Sequence, residues 1–122
     1  SSLTHVDVER ALSQLSRLMD EEHLYQNESV SLASLADAVG VSAHQLSELL
    51  NERLGLSFSQ YLKERRVLAA QQRLIAEPDD SILDVGLAVG FSSSSAFYAA
   101  FRDITGKAPG QFRKENLPES PS

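Results

Sequence analysis

Between Ser42 and Leu54 the polar residues His44, Gln45, Ser47, Glu48 and Asn51 interleave with Leu46, Leu49, Leu50 and Leu54. At helical spacing the leucines share one side, and the polar groups take the other with Ala43 and Glu52. The chemistry of that outer side is hydrogen bonding to flat, patterned edges. An amide such as Gln45 or Asn51 pairs with adenine, and a carboxylate such as Glu48 accepts from cytosine N4. A second stretch sets Ser94, Ser95, Tyr98 and Ala99 outside and Phe97, Ala100, Phe101 and Ile104 inside, with Arg102 one turn beyond Tyr98. Serine discriminates bases poorly and an exposed arginine suits phosphate, so this stretch is weighted towards grip and shape. Catalytic chemistry is not in evidence. No nucleophile–base pair, phosphate loop or metal cluster stands in the sequence, and His5, His23 and His44 lack ligand spacing. Asp79 and Asp80 read as a loop acid pair beside a helix start, so no enzyme activity, cofactor or metal is expected.

The elements that must position these side chains are written twice. Leu32/Ile82, Leu35/Val85, Val39/Val89, Gly40/Gly90, Val41/Phe91 and Ser42/Ser92 match at an offset of 50. Apolar residues three and four apart, then Gly, an apolar residue and Ser, describe a helix stopped by glycine and a new helix capped by serine. That is the layout of a helix-turn-helix. Further on, Leu46/Phe97, Gly55/Gly106, Gln60/Gln111 and Tyr61/Phe112 match at 51. The second copy thus carries one extra residue between its turn glycine and the middle of its second helix.

Composition bounds the class. At 122 residues, 42% hydrophobic and 23% charged, the chain reads as one soluble globular domain, or two very small ones sharing a core. Without cysteine there is no disulfide and no thiolate metal site. No apolar run approaches the roughly 18 residues of a membrane helix, and no signal-peptide pattern opens the chain. It begins at Ser1 without methionine and is read as a fragment, with Ser1 and Ser2 as foreign additions. A net charge of −6 argues against a nucleic-acid binder when taken whole. Its distribution weakens that argument: residues 1–30 carry −4, but 43–76 carry +2 and 92–114 carry +3.

Periodicity predicts about seven helices and no strand, an all-α fold. The first runs from Val6 to about Leu24, with Val8, Leu12, Leu15 and Leu18 or Met19 inward. The long one, about Ser59 to Ala76, carries Tyr61, Leu62, Ala69, Ala70 and Leu74 inward and spans about 27 Å. Arg66 sits beside that stripe, is assigned to structure, and is expected to need an acidic partner. The organisation is an N-terminal helix and loop (1–30), a first helix-turn-helix (31–56), a linker helix (57–77), a second helix-turn-helix with a last short helix (78–116), and a disordered tail (117–122).

Two stretches, LADAVGVSAHQLSELLNERLGLSFSQYL and SILDVGLAVGFSSSSAFYAAFRDITGKAPGQFRK, carry a resemblance. With the helix between them that holds Arg66 and Ala70, they resemble the DNA-binding domain of the AraC/XylS family of bacterial transcription regulators. The resemblance covers about residues 32–114. It implies sequence-specific binding of double-stranded promoter or operator DNA for transcriptional control, with two recognition helices in adjacent major-groove segments. It also implies a cytoplasmic, nucleoid-associated protein, RNA polymerase as a further partner, and a sensor or dimerisation domain outside this chain. By it, His44, Gln45, Ser47, Glu48, Asn51, Ser94, Ser95 and Tyr98 face bases, while Ser42, Ser92, Arg102, Lys63, Arg73, Lys107 and Arg113 meet phosphates. Ser42 and Ser92 are also expected to cap their helices. Glu48 departs from the family, which often has a basic or amide residue in that region; its plain alternative is a solvated helix face. Ser92–Ser95 have theirs in a cap and turn. The competing function is a protein-interaction module on the same fold with weak or no DNA binding, favoured by net acidity, Glu48 and the serines. The first unit is expected to carry more of the reading and the second more of the grip.

Overall fold

The computed structural model describes residues 3–118; residues 1–2 and 119–122, and with them most of the expected disordered tail, lie outside the described residues. Among the described residues there are seven α-helices and no strand. They are α1 (His5–Asp20), α2 (Leu32–Val39), α3 (Ala43–Leu49), α4 (Phe58–Ala76), α5 (Ile82–Ala88), α6 (Ser94–Thr105) and α7 (Pro109–Asn116). The chain divides into two compact units, residues 1–62 and 63–122.

In the first unit α1 starts at Thr4, whose hydroxyl accepts from the Asp7 amide at 3.2 Å. It ends at Asp20, four residues short of the sequence expectation. The Glu21 and Glu22 amides both donate to the Arg17 carbonyl, and His23 turns left-handed at φ 54° into a 3₁₀ turn over Leu24–Gln26. Leu24 prolongs the apolar period, which hides that stop. Both Leu18 and Met19 are buried, as are Ala11 and Leu15, against Leu35, Ala36, Leu46, Leu49, Leu50 and Tyr61. Burying three side chains the size of Leu15, Leu18 and Met19 is worth roughly 5–9 kcal/mol, so α1 is part of this core rather than an appendage. Gln14 adds a tie, its amide donating to the Ala38 carbonyl at 3.3 Å.

After Leu49 the helix continues as one π-helical turn, Leu50–Leu54, to Gly55. Leu54, expected in the buried stripe, is 46% exposed. Gly55 at φ 69° folds the chain back so that the Leu56 amide donates to the Leu50 carbonyl at 3.2 Å. Leu56 then packs on the core that Leu54 was expected to reach.

In the second unit the buried residues of α4 are Val67, Ala70 and Leu74; Val67 was not anticipated and Ala69 is only half-buried. Ser81 caps α5 by accepting from the Asp84 amide at 3.0 Å. A chain of aromatic contacts forms the core: Phe91 to Phe97 at 5.3 Å between ring centroids, Phe97 to Phe101 at 5.7 Å, and Phe101 to Phe112 at 5.5 Å. The Arg66 guanidinium lies over the Phe91 ring, 5.7 Å from its centroid, a cation–π setting that charge pairing alone does not predict.

Candidate nucleic-acid interface

Each unit holds a pair of short helices joined by a tight turn, and hydrogen bonds at the turn follow the repeat. The Val41 amide closes onto the Ala36 carbonyl and the Phe91 amide onto the Gly86 carbonyl, each at 3.0 Å. The caps of the second helices do not follow it. Ser42 accepts from the Gln45 amide at 3.1 Å, but in the second unit Ser93 accepts from the Ala96 amide at 3.1 Å. Ser92 is therefore not the cap, a correction to the sequence expectation. The extra residue lies in the turn itself: Gly40-Val41-Ser42 becomes Gly90-Phe91-Ser92-Ser93. From there the copies run at an offset of 51, cap Ser42 to Ser93 and terminal Gly55 to Gly106. Ser92 stands exposed between the turn and the cap.

On α3, His44 and Glu48 are exposed and one turn apart, with His44 Nε2 3.3 Å from Glu48 Oε1. Asn51 is exposed on the π-helical turn and Ser47 is half-buried. Gln45 is also engaged locally, because its side-chain oxygen accepts from the Ser42 amide at 2.9 Å and completes a reciprocal cap. To pair with adenine through both amide atoms it must give up that bond. On α6, Ser94 and Ser95 are exposed, whereas Tyr98 is half-buried with its ring edge-on to Phe97 at 6.2 Å. Arg102 is exposed and makes no ion pair among the described residues.

The other cations differ. Lys63 Nζ meets Asp103 at 2.7 Å, Arg73 meets Asp80 at 3.4 Å, and Lys107 bonds Glu115. The Lys107 ammonium, then the Gln111 amide, hold the Glu115 carboxyl below its ordinary value against an opposing desolvation. Ion pairs at the surface are weak and screened by water and salt, so a phosphate can displace them. Arg113 is built in: it donates to the carbonyls of Leu74 (2.8 Å), Asp80 (2.8 Å) and Glu77 (3.1 Å), closing the end of α4 and the loop before α5. Arg53, not singled out from sequence, pairs with Glu9 at 3.4 Å; only the α1 packing would have revealed it. Residues 1–62 hold 3 Lys/Arg against 9 Asp/Glu, which is −6, and residues 63–122 hold 8 against 8, which is 0. Among the described residues no group of three His, Cys, Asp or Glu can hold a metal, and no helix is long and apolar enough to cross a membrane.

A family model described as "Helix-turn-helix domain" matches residues 35–115. The Proteus vulgaris protein named "Probable transcription factor PqrA" is 33% identical over 94 residues, 77% of this chain and 76% of that protein. An HTH-type transcriptional regulator of Staphylococcus aureus is 33% identical over 99 residues; the match takes 81% of this chain but 13% of the regulator, so the chain spans a small part of such proteins. The crystal structure of an AraC-type DNA-binding-domain regulator from Chromobacterium violaceum is similar with a TM-score of 0.77 at 31% identity, covering 94% of this chain and 100% of that one. The DNA-binding domain of AdpA, solved with a target DNA, gives 0.74 at 26% identity, covering 87% and 91%. With its two capped helix pairs and a match over two-thirds of its length, the chain belongs to the AraC-type helix-turn-helix family of transcription regulators.

Proposed function

We propose that the chain binds double-stranded promoter DNA in a sequence-specific manner, placing α3 and α6 in adjacent major-groove segments to regulate transcription. The observation that carries this reading is the doubled helix pair, each with a capped second helix whose outer side is polar. The likeness to a domain solved on its target DNA supports it. His44, Ser47 and Glu48 read bases from α3, Asn51 from the π-helical turn that continues it, and Ser94 and Ser95 from α6, with Gln45 and Tyr98 contributing less because cap and core engage them. Arg102, with Lys63, Arg73 and Lys107 released from their acids, and the amides around Ser42 and Ser92 hold phosphates. Arg113 leaves that set. A sensor or dimerisation domain outside this chain and contact with RNA polymerase complete the function, which is exercised at the nucleoid. Net acidity and the self-paired lysines favour a second reading, a protein-interaction module.

Titration of labelled duplexes at several salt concentrations separates the two. Neutralising about five phosphates predicts a log–log slope of about −4 to −5. A flat salt response, or no binding to any duplex drawn from bacterial promoters, selects the protein-interaction module.

A further inference from the structure

The second helices of the two pairs have one length and two endings. From cap to closing glycine, Ser42 to Gly55 and Ser93 to Gly106 hold the same number of residues. Yet α6 is α-helical throughout, whereas α3 leaves through the π-helical turn Leu50–Leu54. The backbone bonds differ accordingly. The Gly55 amide is shared between the Asn51 and Leu50 carbonyls, and the Leu56 amide also returns to Leu50. In the second unit the Gly106 amide goes to the Arg102 carbonyl at 2.8 Å. There the Thr105 hydroxyl donates to the Phe101 carbonyl, the counterpart of Leu50, at 2.8 Å and accepts from the Lys107 amide at 3.2 Å. Two side chains account for the contrast. Counted from Leu46, Leu49 and Leu50, the next inner position of a continued α-helix is 53. The second unit has half-buried Ile104 at that place; the first has Arg53. An α turn would press the guanidinium towards Leu49 and Leu50, where burial without a partner is costly, and the wider turn leaves it exposed. Leu54 then stands where the second unit has Thr105, so no hydroxyl meets the Leu50 carbonyl and the amides of Gly55 and Leu56 do.

We propose that Arg53 and Leu54 are positioning residues for DNA reading: they hold the exit of α3 in π form and so aim the Asn51 amide at a base. This rests on α3 entering the major groove, as proposed above. Single π turns inside helices are rare and are frequent at functional sites. Residues in such a turn stand at another angle about the axis than in an α-helix, which separates Asn51 from its counterpart Arg102 on α6. The straight exit gives an arginine to phosphate; the widened one gives an amide to a base edge. An amide pairs with adenine through N6 and N7, so the turn sets an adenine preference at one position of the site. The pairing of Arg53 with Glu9 follows from the exposure of the guanidinium and does not cause it, because a surface pair is weak.

The probes are duplexes recovered from a random pool by the wild-type chain, each base pair then replaced in turn. Kd is measured for wild type, Asn51→Ala, Arg53→Lys, Glu9→Ala and the double variant Arg53→Ile/Leu54→Thr, which installs the residues of the second unit. The expected result is one adenine position whose replacement weakens the wild type about tenfold. Asn51→Ala and the double variant both lose that preference and keep the others, and combining them costs nothing more at that position. Arg53→Lys, whose ammonium is equally unfit for the core, keeps the preference, as does Glu9→Ala. A crystal structure of the free double variant should show α-helix up to residue 54. Should the double variant not fold, Arg53→Ala, which removes the charge without filling the core, takes its place in the same measurements. An exit that stays π-helical, an α-helical exit with the adenine preference intact, a preference lost equally by Arg53→Lys, or a Kd raised alike for every duplex overturns the proposal while leaving DNA binding in place. Binding of no duplex by the wild type overturns the function itself and this role with it.

Discussion

Gly86 faces Phe97 with no room for a side chain: a Cβ there would sit 2.6 Å from Phe97 Cδ2 and 2.7 Å from Cγ. The first unit solves the same crossing with Ala36 and Leu46, both buried, at the equivalent positions. A larger knob in the second copy is matched by a smaller hole. Gly86→Ala gains about 1 kcal/mol of helix propensity, yet overpacking against a buried ring typically costs about 1–3 kcal/mol. We expect a net loss of stability in urea denaturation, reversed when Phe97→Leu is added. A neutral Gly86→Ala would mean that Phe97 shifts aside freely. The sequence marks Phe97 and Leu46 clearly, because apolar stripes repeat, whereas a helical glycine looks merely weak until the residue opposite is known. Gln45 illustrates the same limit on the polar side. Ser-x-x-Gln reads equally as a cap and as the start of a recognition surface, and here it already serves as the first.

Among the elements, helix identities and most inner faces were legible, since their periodicity is strong and serines and glycines bracket each helix. Endings were less so. α1 stops at a left-handed histidine that no residue-type rule marks, and Leu54 gave way to Leu56 because the fold-back at Gly55 lies beyond helical periodicity. The cap of α6 was missed for a different reason: four consecutive serines offer four candidates, and the offset of 50 from the first turn favours the wrong one. The offset of 51 that holds from the second helix onward points to Ser93. Ser93→Ala should therefore cost about 1 kcal/mol of stability, whereas Ser92→Ala should cost almost nothing. Equal losses in thermal or urea unfolding would place the cap elsewhere.

At the scale of the whole chain, charge segregation divides the labour more sharply than the sequence pattern suggested, since all six net negative charges lie in residues 1–62. Grip on a polyanion must then come mainly from residues 63–122, where the candidate phosphate-binding cations fall into three conditions: exposed without an ion pair among the described residues (Arg102), paired with an acid at the surface (half-buried Lys63, exposed Arg73 and Lys107), and built into the fold (Arg113). These conditions separate in measurement. Arg102→Ala removes one phosphate contact at little structural cost, so it should weaken binding to all duplexes alike and reduce the magnitude of the salt slope by about 1. Arg113→Ala strands three carbonyls at the end of α4 and the following loop, so it should lower stability by about 1–3 kcal/mol and leave the salt slope of the folded protein unchanged. Arg113→Lys should rescue little, because one ammonium cannot reproduce the fork that reaches three carbonyls at once. If Arg113→Ala instead kept its stability and flattened the salt slope, the arginine would be a phosphate contact. If Arg102→Ala altered base preference at constant slope, it would read bases rather than hold the backbone.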